Sequence, residues 1–118
     1  MKRLKKVIEL SVFLPVEGAF ESENRFVIKN KNYTYTLCEE NKRIILKIDF
    51  KKKFAGEALK AYAAKMTLVN SCIRAAGFEL DENGYASIYK AFSARETEDN
   101  IASAAVKYYQ NADSLVVV

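Results

Sequence analysis

The sequence predicts an α+β domain in the order helix, three strands, long helix, two strands, helix: an antiparallel five-stranded sheet packed against a long central helix, with terminal helices flanking it. Three observations carry this. Between Ala55 and Ala76 the apolar residues Leu59, Tyr62, Met66, Val69, Ile73 and Ala76 recur at steps of three and four, the period of one helix face. From Arg25 to Phe50 the period is two, and short polar turns interrupt it. After the long helix, Asp81-Glu82-Asn83-Gly84 joins two further β-rich runs, and a helical pattern closes the chain. Residues 1–118 read as one domain, a length that buries roughly 65% of the surface of the unfolded chain.

In chain order, Leu4, Val7, Ile8 and Val12 are spaced for a short amphipathic helix, with Pro15 setting its limit because the residue before a proline avoids the helical region. Val16 to Asn24, with Gly18 among Glu17, Glu21 and Glu23, reads as a loop to which Ala19 and Phe20 add at most a little strand. The runs Phe26 to Lys29, Tyr33 to Glu39 and Arg43 to Phe50 form a meander across the turns Asn30-Lys31-Asn32 and Glu40-Asn41-Lys42. Tyr33, Tyr35 and Leu37 share one face of their run. Ile44, Leu46, Ile48 and Phe50 share one face of theirs, and both sets are expected under the central helix.

The central helix is alanine-rich, and Gly77 is placed to close it in a left-handed conformation. Its polar stripe of Glu57, Lys60, Thr67, Ser71 and Arg74 is narrow. Ala61, Ala64, Leu68 and Cys72 widen the apolar arc beyond what one sheet covers, so either the terminal helices or the same helix of a second copy must cover the remainder. Phe78 to Leu80 and Tyr85 to Phe92 follow as a hairpin, Asn83-Gly84 tolerating positive φ. With Ala86, Ile88 and Phe92 inward, Tyr85 and Tyr89 face outward, as a partner contact or beneath neighbouring elements. Ser93-Ala94-Arg95-Glu96 reads as a capping box for a last helix whose stripe is Ile101, Ala105, Tyr108, Ala112 and Leu115.

Composition narrows the chemistry. There is no histidine, hence neither the commonest general base nor the commonest metal ligand. Cys38 and Cys72 lack metal or redox spacing and read as buried free thiols in a reducing interior. The adjacent carboxylates Glu39-Glu40 and Asp81-Glu82 sit on turns, where they are solvated unless a pocket shifts them. No cofactor motif is present. Residues 1–59 carry thirteen basic and eight acidic side chains against six and seven in residues 60–118, and the excess lies in Lys2 to Lys6 and in Lys51, Lys52 and Lys53. These runs read as a solvated terminus and a solvated loop, or else Lys5, Lys6 and Lys51 to Lys53 form a polyanion patch for nucleic acid. Glu9 interrupts the apolar run after the first basic residues, no small-x-small cleavage site follows, and no stretch is long enough to span a membrane. The expected location is cytoplasmic.

The element order, with Leu68-Val69-Asn70 at the end of the long helix and the Asp81 to Gly84 hairpin after it, resembles the fold of type III secretion chaperones and of YbjN-type sensory-transduction regulators. That resemblance covers nearly the whole chain and implies a non-enzymatic protein that binds polypeptides, often as a homodimer. It carries over no site residue. The functional expectation is a protein-interaction or chaperone-like regulatory domain, homodimeric through the side of the long helix that bears Ala61 and Ala64; the alternative is nucleic-acid binding through the lysine runs.

Overall fold

A computed structural model of the chain describes residues 3–12, 14–53, 57, 77–80 and 83–115. Its elements are α1 (Arg3–Leu10), α2 (Leu14–Glu17), β1 (Ala19–Ser22), β2 (Arg25–Lys29), β3 (Tyr33–Glu40), β4 (Arg43–Lys53), β5 (Gly77–Leu80), β6 (Tyr85–Ala91) and α3 (Glu98–Leu115). The six strands form one antiparallel sheet in the order β1-β2-β3-β4-β6-β5. The α+β class and all five expected strands are present, and β1 adds a sixth. The expected long helix lies outside the described residues apart from Glu57, which is helical and exposed.

The inner face of the sheet is the one the period of two selects. Tyr33, Tyr35, Leu37, Ile44, Leu46, Ile48 and Phe50 are all buried, joined by Phe26 and Ile28 from β2 and by Ala86, Ile88 and Phe92. Among the described residues, α1 and α3 cover this face. Leu4, Val7 and Ile8 of α1 and Ile101, Ala105, Tyr108 and Ala112 of α3 are buried in the same core, the latter four as their spacing predicts. Tyr35 Oη donates to the Ala105 carbonyl at 2.7 Å and pins α3 to β3. Tyr109 lies edge-on to Tyr35 and Tyr33, at ring-centroid distances of 5.6 and 6.4 Å.

Turn chemistry fixes the register. Asn30 Oδ1 accepts from the backbone N–H of Asn32 and Tyr33, bending the chain into β3. Asn41 and Lys42 both have positive φ, 52° and 67°, which makes β3–β4 a two-residue hairpin of the kind that matches strand twist. Lys42 has a Cβ to strain there, so Lys42→Gly is expected to stabilise the fold by about 0.5–1 kcal/mol, read as a raised urea midpoint at unchanged slope.

Arg3 ties three elements together. Its guanidinium donates to Glu98 Oε2 at 2.8 Å, to the Lys42 carbonyl at 2.5 Å, and to the Glu96 carbonyl. The hydrogen bond from Arg3 holds the exposed Glu98 carboxyl below its ordinary range. A depressed carboxyl favours the folded state above its unfolded pKa, and that contribution is lost as pH falls.

Five local expectations are corrected. First, α1 ends at Leu10, where Ser11 Oγ turns back to donate to the Val7 carbonyl at 2.7 Å. Val12 therefore leaves the buried stripe and is 75% exposed. Pro15 stands in the first turn of α2 instead of ending α1, a position where its missing N–H costs nothing. Second, residues 16–24 are not simply a loop but hold the end of α2 and the strand β1.

Third, β4 runs on to Lys53, so Lys51 to Lys53 are strand and not loop; Lys51 donates its backbone N–H to the Asn32 carbonyl at 2.9 Å. Fourth, Gly77 is extended, beginning β5 opposite Tyr89, and the left-handed glycine is Gly84 at φ 85°. Fifth, α3 is capped by Thr97, whose Oγ1 accepts from the Asn100 N–H at 3.2 Å. Ser93 instead accepts from Arg95 in a preceding turn, because Phe92 must first reach the core, donating its N–H to the Ile44 carbonyl.

Candidate interaction surface

The first strand is placed by a glycine. A Cβ built on Gly18 would lie 2.6 Å from Ile28 Cγ1 and from the Val27 carbonyl oxygen and 2.8 Å from Phe26 Cζ. Only a bare α-carbon lets the chain leave α2 and lie down beside β2. β1 then pairs through Ala19 with Val27 and through Phe20 with Phe26, and the Phe20 ring meets Phe26 edge-on at 5.3 Å. Its other edge is unpaired among the described residues, and all four of its residues are exposed.

Most of the large apolar side chains that the described residues expose are Leu10 at 37% and Val12 at 75%, which line a groove on one flank of α3, Val16 at 86%, and Phe20 at 43% on β1 itself. They follow one another along a single segment from the end of α1 through α2 to β1. β1 carries neither proline nor lysine, and what limits its edge is its length of four residues, the charge of Glu21 and a shift of register between Phe20 and Ser22. A groove of about 310 Å³ beside it is floored by Val27 and walled by Glu17, Glu21 and Lys29. Glu21 bridges Lys29 at 3.3 Å and Arg25 at 3.0 Å, and these hydrogen bonds, Lys29's first, hold its carboxyl below the usual range.

On the outer face of the sheet Tyr85 and Tyr89 are exposed at 37% and 42%, facing outward as their register requires. Tyr89 closes one side of a shallow depression of about 270 Å³ with Ile45, Lys47 and Cys38. Cys38 is half-buried, and burial, with Glu40 nearby, pushes its thiol above its ordinary value. A thiol so held is a poor nucleophile at neutral pH. Glu39 is not a solvated turn carboxylate: its Oε1 accepts the Leu4 N–H at 2.9 Å and caps α1.

Among the described residues the basic runs lie apart. Lys5 and Lys6 are exposed on α1, whose start is bound to the β3–β4 hairpin. Lys51 stands near the opposite end of β4, where Nζ donates to the Asn30 carbonyl at 2.6 Å. At 3.3 Å per strand residue the two are on the order of 20 Å apart, so they make no single patch. The side chains of Lys52 and Lys53 lie outside the described residues, as do Ala61, Ala64, Leu68, Cys72, Asp81 and Glu82. Among the described residues no three His, Cys, Asp or Glu side chains cluster, and no helix is long and apolar enough to cross a membrane.

Sequence reasoning did not single out the exposed side chains Leu10, Val12, Val16 and Phe20. Val12 falls in the stripe read for α1, and Val16 and Phe20 in a segment read as a loop, so only the assembled layers show them exposed. The chain matches no protein-family model and no curated protein. It is similar to a chain of the solved HopA1-SchA chaperone-effector complex, with a TM-score of 0.62 and 14% sequence identity over 99% of this chain and 95% of that one. At that identity the likeness is one of fold.

Proposed function

We propose that this protein is a non-enzymatic, chaperone-like domain that binds an extended polypeptide along the β1 edge, working in the cytoplasm as a homodimer. The observation that carries this reading is the run of exposed apolar side chains, Leu10, Val12, Val16 and Phe20, along the segment that leads into a strand with an edge unpaired among the described residues. An extended segment satisfies both at once, its backbone completing the ladder and its alternate side chains covering the valines and Phe20. The fold-level likeness to a chain of a chaperone-effector complex supports it. The raised Cys38 thiol and the use of Glu39 as a helix cap favour binding over catalysis. The homodimer rests on the sequence alone, on the apolar arc that Ala61, Ala64, Leu68 and Cys72 widen.

Selection of a 12-residue peptide library against the full chain tests the binding surface. Enriched peptides are expected to alternate apolar and polar residues, and Val16→Glu with Phe20→Lys should weaken them by at least about tenfold, the loss of one buried apolar contact or more, while the lost Phe20–Phe26 contact lowers stability by only about 1 kcal/mol and leaves the chain folded. Peptides that bind the double variant equally well would remove β1 as the site. In light scattering, the chain is expected at the mass of two copies and Ala64→Glu at the mass of one; a wild-type monomer at high micromolar concentration removes the dimer.

A further inference from the structure

Beyond the polypeptide surface, the structure holds a second concavity on the other flank of α3, four strands from β1 in the sheet order. It has a volume of about 460 Å³, within the range of small-ligand pockets. Lys90 reaches it from the end of β6 and Lys107 from the third turn of α3. Lys90 shares the inner face of its strand with Ala86 and Ile88, so its ammonium is directed beneath the sheet toward α3, and Nζ is held 5.6 Å over the Phe92 ring. Among the described residues neither ammonium has a carboxylate within ion-pair distance; the bridges are Arg3–Glu98, Arg25–Glu21, Lys29–Glu21 and Lys47–Asp49.

The remaining walls divide by chemistry. Ser93 and Ser103 bring hydroxyl donors, and Phe92 and Ala104 give an apolar floor. Glu96 is the one carboxylate of the lining, and its Oε1 is already engaged by Asn100 Nδ2 at 2.9 Å and the Thr97 N–H at 3.3 Å. Two ammonium groups therefore stand against one carboxylate that is turned to structural use. Nucleic acid does not fit so small and isolated a pair of charges. A single oxyanion does, held by the lysines of the lining while the group that bears it meets Ala104 and the rim of Phe92.

We infer that the groove between the end of β6 and α3 binds a small organic oxyanion, a carboxylate or phosphate carried on a flat apolar body, with Lys90 and Lys107 as its charge partners. The site shares no lining residue with the groove beside β1, although Ser103 and Lys107 also line the groove that holds Leu10 and Val12. Its test is a titration of the ¹⁵N-labelled full chain, at constant ionic strength, with benzoate and with phenyl phosphate, and with benzamide as the uncharged control. Both anions are expected to saturate and to shift the amides of Ser103, Ala104 and Lys107; the tighter of the two identifies the oxyanion class, and benzamide should not saturate. Lys90→Gln and Lys107→Gln should each weaken the anions by about tenfold, the loss of one charge-assisted hydrogen bond. Both side chains stand outside the core, so the variants keep the fold, which the rest of the spectrum verifies. Shifts that rise linearly without saturation, equal binding of benzamide, or unchanged affinity in both variants would overturn the assignment.

Discussion

Replacing Tyr35 by alanine is expected to cost about 3–5 kcal/mol, a large part of the stability of a domain this size. The ring is fully buried in the centre of the sheet, packs edge-on to Tyr109, and its hydroxyl donates to the Ala105 carbonyl at 2.7 Å. The alanine variant loses the ring, the aromatic contact and the pin between β3 and α3 together. Tyr35→Phe keeps the ring and should cost only about 1 kcal/mol, the net worth of one hydrogen bond. Urea unfolding of the two variants separates these contributions, and similar losses in both would mean that the hydroxyl, not packing, dominates.

The same residue predicts a pH effect. Burial, with Tyr33 and Tyr109 nearby, pushes the Tyr35 hydroxyl well above its ordinary value. A group with a raised folded pKa stabilises fully below its unfolded pKa, so this contribution is present at neutral pH. It is lost as pH rises past the ordinary tyrosine value of about 10. Wild-type stability should therefore fall more steeply than that of Tyr35→Phe above that pH.

Gly18→Ala is the second large effect. One methyl at this position meets backbone as well as side chain, the Val27 carbonyl at 2.6 Å, and a carbonyl held in the β1–β2 ladder cannot swing aside as a flexible side chain would. A cost of about 1–3 kcal/mol is expected, concentrated in β1. Hydrogen exchange should show the amides of β1 losing protection while those of β3 and β4 keep theirs. If the edge strand is the polypeptide site, peptides selected on the wild type should bind Gly18→Ala more weakly; intact binding with a detached β1 would place them elsewhere.

What was legible in the sequence follows from how much chain each feature uses. The meander was readable because Tyr33, Tyr35 and Leu37, and Ile44 to Phe50, repeat one choice over whole strands, and a one-residue slip would turn them all to solvent. The stripe from Ile101 to Ala112 repeats over three turns and was equally plain. Short elements offer no such repetition. Pro15 suits a helix start as well as a helix end, and Ser93 and Thr97 are both good caps, so the choice is made by tertiary packing: Ser11 closing α1, and Phe92 reaching the core before α3 can begin. For the same reason the exposed valines were not visible as a surface. Exposure belongs to the assembled layers, and nothing in Val12 or Val16 alone distinguishes it.

The strand order has a consequence for how the chain is made. From β1 to β4 each strand lies beside the one just synthesised, so that four of the six strands are assembled by neighbours in time as well as in space. β6 alone joins it from afar, Asp49 waiting for Ser87. The nascent meander therefore emerges from the ribosome with the bare flank of β4 open, and closure of that distant pair, costly in loop entropy, is the step at which folding is slowest and the growing chain most in need of protection.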